Sequence, residues 1–110
     1  MDKIGTLTLT GASGTKYAFN VYPYATEFDA IGAVYYISKR TEKTYGTGSH
    51  DKIYIGETGD LSERFDNHHK EPCFKMYNAN CISIHQEFNE NKRLIIEEDL
   101  IDAYNPPCNG

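Results

Sequence analysis

Apolar and polar positions alternate along the first part of the chain. In TLTLT (6–10) Leu7 and Leu9 are separated by threonines, and in KYAFNVYPY (16–24) Tyr17, Phe19 and Val21 fall on one face. A period of two is the mark of a half-buried strand. The intervening GASGT supplies permissive backbone for a turn, so residues 4 to 22 are predicted as a β-hairpin. PYATEFDAIG is a connector, AVYYIS a third strand, KRTEKTYGTGSHD a polar hairpin loop and KIYIG a fourth strand antiparallel to the third.

Further on the pattern changes. Asp60 and Glu63 have the D-x-x-E spacing of a capping box, Gly59 lets the chain turn, and Pro72 disfavours helix at Glu71. A helix from about Asp60 to Lys70 is expected, with a short second helix over CFKMYNA. CISIHQEF alternates as a fifth strand. ENKRLIIEEDLIDAYN reads as a long helix stopped by Pro106 and Pro107. Strands and helices of these lengths in 110 residues make one α+β domain.

Composition changes this picture little. Nine tyrosines and no tryptophan are unusual, but no apolar run approaches a membrane span and the first residues lack the apolar core of a signal peptide. Three cysteines, Cys73, Cys81 and Cys108, are too sparse for a disulfide scaffold; they are read as reduced, which points to the cytoplasm. A zinc site built from Cys73 with His68 or His69 lacks the paired ligand spacing such sites show. The net charge of −5 argues against unspecific, charge-driven DNA binding. It leaves room for a local basic groove from Lys39, Arg40, Lys43, Lys52, Arg64, Lys70 and Lys75, although solvated surface explains such a cluster equally well.

Two helices carry polar residues in unexpected places. Arg64 and His68 are four apart, beside the Leu61 and Phe65 stripe. At about 100° per residue the last helix gathers Leu94, Ile96, Leu100, Ile101 and Tyr104 on one arc, with Glu98, Asp99 and Asp102 opposite. Glu97 falls within the apolar arc. A carboxylate there is costly unless paired or bound to a metal. Helix geometry leaves open an internal salt bridge, to Arg64 for instance, and a metal-binding or acid–base role.

AVYYI followed by KIYIG, Arg64 ten residues after Tyr54, then His68, then an E-x-x-L-I run from Glu97 and an asparagine after a proline pair together resemble the GIY-YIG nuclease superfamily. The likeness runs from about residue 31 to 109. It implies a three-stranded antiparallel sheet flanked by helices, with residues 1 to 30 as an added N-terminal hairpin and connector outside that core. It implies that Tyr35 and Tyr54 are the two motif tyrosines, that Gly56 lets the chain leave the strand close to substrate, and that Arg64 is the essential arginine. His68 then occupies the place of a catalytic histidine, Glu97 that of the acid that binds a single divalent cation, and Asn109 that of a supporting residue. Ala33 departs from the usual glycine, with Gly32 one residue early.

The chemistry implied by this likeness is hydrolysis of DNA phosphodiesters, with RNA as an alternative substrate. Such a reaction needs an activated water and charge stabilisation at the phosphoryl oxygens. Glu97 would hold Mg²⁺ or Mn²⁺, Arg64 would match the phosphate, and Tyr35, Tyr54 or His68 would take a proton, with similarity favouring Tyr35 assisted by His68. A monomer would cut one strand at a time, and double-strand cleavage would need a homodimer or two binding events. The alternative is a non-catalytic module of the same fold that binds nucleic acid or a protein partner, and a third reading is a plain structural domain.

Overall fold

The computed structural model describes residues 3–42, 48–63 and 70–109. Its elements are β1 (Gly5–Thr10), β2 (Lys16–Pro23), β3 (Ala33–Glu42), β4 (Gly48–Thr58), α1 (Glu71–Met76), β5 (Cys81–Gln86) and α2 (Glu90–Tyr104), closed by a 3₁₀ turn over Pro107–Asn109. The five strands form one antiparallel sheet in the order β1-β2-β5-β3-β4. The three strands expected to make a sheet by themselves are neighbours within it. The hairpin extends this sheet at the β5 side. Tyr22 pairs with Ile82 and Val21 with Ser83, so β2 joins the sheet through β5. Residues that far apart in the chain pair by tertiary packing, which no local pattern encodes.

Alternation sends side chains to both faces of this sheet. On one face Tyr35, Ile37, Ile82, Ile84 and Phe74 of α1 form a core; on the other Val34, Tyr36, Ile55, Leu9 and Phe19 pack against Ile96 and Leu100 of α2. The β3–β4 ladder shifts register between Ile37 and Ser38, which face Tyr54 and Lys52 and leave Ile53 between them. That bulge turns Ile53 to the first core although Ile55 belongs to the second. Paired residues continue to Glu42 and Gly48, so both strands run well into the stretch expected to be loop. The sheet curls until β1 and β4, at opposite ends of the strand order, share a cavity of about 300 Å³ lined by Ile4, Leu7, Arg40 and His50 among others.

The hairpin's turn is fixed to α2. Asp99 accepts hydrogen bonds from the Ser13 N–H (2.8 Å), the Ser13 hydroxyl (2.7 Å) and the Tyr17 hydroxyl (2.8 Å). Gly11 lies against that carboxylate, where a Cβ would sit 1.9 Å from Oδ2. Asp99 therefore anchors the hairpin instead of facing water with Glu98 and Asp102. Asn89 caps α2 by accepting from the Lys92 N–H at 3.0 Å, and Asn105 ends it in the left-handed region at φ 44° before Pro106.

Three further expectations change. Leu94 is 43% exposed, and the inward place beside it is taken by the buried Arg93. Asp60 accepts from the Ser62 N–H at 2.9 Å, but its own N–H goes to the Thr58 hydroxyl at 3.1 Å, not to Glu63. Cys73 and Cys108 form a disulfide, with Cα atoms 5.9 Å apart, while Cys81 is a buried free thiol. The pairing rules out reading all three cysteines as reduced and removes the argument by which they pointed to the cytoplasm. Among the described residues no helix is long and apolar enough to cross a membrane.

Candidate functional site

β4 is an edge strand, and its free side is covered by side chains instead of another strand. The Asn109 amide pairs with Ile55 as a strand would: Oδ1 accepts the Ile55 N–H at 2.9 Å and Nδ2 donates to the Ile55 carbonyl at 2.8 Å. Backbone groups two residues on point the same way, so the Glu57 N–H also faces this edge. There it donates to the carboxylate of Glu97. Ile55 and Glu57 are thus held by Asn109 from the 3₁₀ turn and Glu97 from α2.

The two tyrosines come from the face opposite α2. Tyr35 stands opposite Gly56 in the ladder, with Tyr54 two residues before it on the same face. Their ring centroids are 6.0 Å apart, and a hydrogen bond from Tyr35 reaches Tyr54. Gly56 is what permits this. A Cβ there would lie 2.6 Å from Tyr35 Cζ, 2.7 Å from its hydroxyl and 2.8 Å from Tyr54 Cε2. Phe74 of α1 packs against the Tyr54 ring at 5.2 Å.

Electrostatics tie Tyr54 to the acid. Burial pushes the Tyr54 hydroxyl above the usual tyrosine range, the Glu97 charge pushes it further, and the hydrogen bond from Tyr35 partly offsets both. Glu97 is likewise raised, first by burial and then by the neighbouring Glu57 carboxylate, against the pull of the Glu57 N–H. In this setting Tyr54 keeps its proton at neutral pH.

Glu57 and Arg93 were not singled out from the sequence. Arg93 Nε meets Glu57 Oε2 at 3.0 Å, and Nη1 donates to the carbonyls of Glu87 (3.0 Å) and Phe88 (2.9 Å). Gly32 clears its path, since a Cβ there would be 2.6 Å from Nη1. Gly32 therefore has a packing reason of its own in this chain. The available signal was a cation four residues before Glu97, on the same helix face.

The structure accordingly brings together Tyr35, Tyr54, Gly56, Glu97 and Asn109, and adds Glu57. Arg64 and His68 lie outside the described residues, as do Phe65 and most of the helix expected there. Of the basic residues that are described, Arg40 and Lys52 both lie near His50 at the β3–β4 ladder, and Arg40, Lys52 and Lys75 each have a local partner. Arg40 pairs with Glu42 at 2.7 Å and lines the cavity shared with β1, Lys52 stands 4.7 Å over the Tyr104 ring, and Lys75 pairs with Glu71 at 3.2 Å. Among the described residues no group of three or more His, Cys, Asp and Glu side chains converges as a metal cage. At the β4 edge the carboxylates of Glu97 and Glu57 are neighbours, oxygen donors of the kind a hard divalent cation takes, with Glu57 already paired to Arg93.

Comparison of the chain with protein-family models, with curated proteins and with solved structures finds no match.

Proposed function

We propose that this protein is a divalent-metal-dependent endonuclease of GIY-YIG type that hydrolyses DNA phosphodiester bonds. One observation supports the reading above the rest. Two phenols share the space over Gly56 on one face of the sheet, and the carboxylate that α2 brings to the same strand edge from the other face is near enough to raise the Tyr54 hydroxyl. A fold needing only stability gains little from a half-buried acid beside a second acid.

In this reading Glu97 holds Mg²⁺ or Mn²⁺, with Glu57 as its neighbour. When bound, the cation supplies neutralisation of charge at the scissile phosphate. Arg64 presents its planar guanidinium to the phosphoryl oxygens. Tyr54, protonated in its buried setting, donates a hydrogen bond to the phosphate or to the attacking water. Tyr35 takes the proton of that water as its own phenol proton passes to His68. Gly56 keeps both rings at the edge, and Asn109 holds the strand beneath them.

The second reading is a binding module of the same fold without catalysis. It is favoured by the net charge of −5 and by the fact that Glu97 and Asn109 also serve as covers for a strand edge. The two readings part in one experiment. Single-stranded, nicked, branched and duplex DNA, with RNA alongside, are incubated with the full chain and Mg²⁺ or Mn²⁺, beside Glu97→Gln and Arg64→Ala. Metal-dependent cutting that both substitutions abolish supports the endonuclease. Binding without cutting on every substrate and metal overturns it.

A further inference from the structure

The Cys73–Cys108 disulfide lies directly beside the strand edge just described. Cys108 is the middle residue of the 3₁₀ turn, buried, and immediately precedes Asn109. Cys73 is in α1, one residue before Phe74, which packs on the Tyr54 ring. The bond closes a sequence separation of 35 residues and ties the last turn of the described chain to α1. Asn109 is the residue that occupies both backbone groups of Ile55, between Tyr54 and Gly56.

We propose that this disulfide is a redox-sensitive latch that positions Asn109 on the edge of β4. With the bond closed, the 3₁₀ turn cannot move away from α1, and the Asn109 amide stands in for a missing strand. With the bond open, the turn keeps the buried Pro106, the Cys108 side chain and the amide pair but loses its covalent tie to α1. The Ile55 N–H and carbonyl then exchange their partner for water more often, and the Tyr54–Gly56 segment loses its outer support. The acting chemistry is thiol–disulfide exchange with a dithiol reductant. Its thiolate attacks Sγ of Cys73, the less buried of the two. Cys108 leaves as a thiolate and takes a proton. The second thiol of the reductant then displaces Cys73, which leaves as a thiol, and the reductant departs as its own disulfide. Two electrons and two protons pass to the protein.

The inference goes beyond the nuclease reading and does not need it, because its readout is the strand edge itself. Amide hydrogen exchange is followed by NMR on the full chain, first oxidised and then with dithiothreitol, with thiol titration reporting the state of the bond. The Ile55 N–H is expected to exchange about tenfold faster or more after reduction, while the amides of β5 in the sheet interior keep their protection. Asn109→Ala in the oxidised protein is expected to reproduce the change at Ile55 with the disulfide intact. Unchanged Ile55 exchange after full reduction overturns the latch. So does exchange that rises equally in all five strands, since the bond would then support the whole fold and not this edge. Failure of Cys73 and Cys108 to pair under mild oxidation overturns it as well.

Discussion

Replacing Arg93 with Met tests how α2 is held against β4. Met keeps an unbranched apolar stem but removes the guanidinium, which is 6% exposed and bonded to Glu57 Oε2 at 3.0 Å. It also leaves the carbonyls of Glu87 and Phe88 without their donor. Removing one partner of a buried ion pair costs about 3–5 kcal/mol. Glu57 is 21% exposed and recovers some solvation, so the lower end, about 3 kcal/mol, applies. At about 2.1 cal/mol/K per residue, a chain of 110 residues loses about 4 °C in Tm per kcal/mol, so Arg93→Met is expected to melt about 12 °C below the parent. Much of that cost is a charge left without its partner, so adding Glu57→Gln to Arg93→Met should restore part of it. Urea unfolding of the parent, both single variants and the double variant gives the coupling energy. A coupling above about 1.5 kcal/mol is expected for a pair this buried. If Arg93→Met stays within about 0.5 kcal/mol of the parent, or if the two changes are additive, Arg93 is not a clamp and the account of how α2 sits on β4 fails.

Gly56→Ala places a methyl group against both phenols; it should cost about 1–3 kcal/mol in urea and alter the tyrosine signals in near-ultraviolet circular dichroism. Glu97 has a folded pKa raised above its unfolded value. The stability this brings is present below the unfolded pKa of about 4.3 and is lost as pH rises through the folded pKa. Glu97→Gln should therefore be at least as stable as the parent at pH 7, with the gap closing near pH 4, as read from urea midpoints. Asp99 behaves in the opposite sense: hydrogen bonds from Ser13 and Tyr17 lower its pKa. Its contribution is present above the unfolded pKa of about 3.9 and is lost as pH falls through the folded pKa. Asp99→Asn should destabilise at neutral pH and converge with the parent in acid, as followed by thermal melts across pH.

The site was legible in part. Tyr35 and Tyr54 are recognisable as strand residues, and Glu97 stands out because a carboxylate interrupts an apolar helix arc. The company Glu97 keeps was not legible. Glu57 lies on another element, and only the packing of α2 across the edge of β4 brings the two acids together. Leu94 misled for a related reason. The apolar arc counts it inward, but Arg93 finds in Glu57 and two carbonyls the partners that make its burial affordable, and Leu94 turns outward. Helical periodicity weighs a residue's own hydropathy, not the partners waiting for it.

Local pattern was enough for the single elements: alternation marks β1, β2 and β5, and the proline pair after residue 105 marks the end of α2. These depend on residues within a few positions of one another, where side-chain period and capping chemistry act directly. Long-range packing alone settles that the hairpin enters the sheet through β5, that Asp99 anchors its turn, that Cys73 pairs with Cys108, and that Asn109 serves as a surrogate strand for Ile55. Each joins residues far apart in the chain. Their energies appear only once loop closure has been met by the burial of the two cores, so no local window contains them.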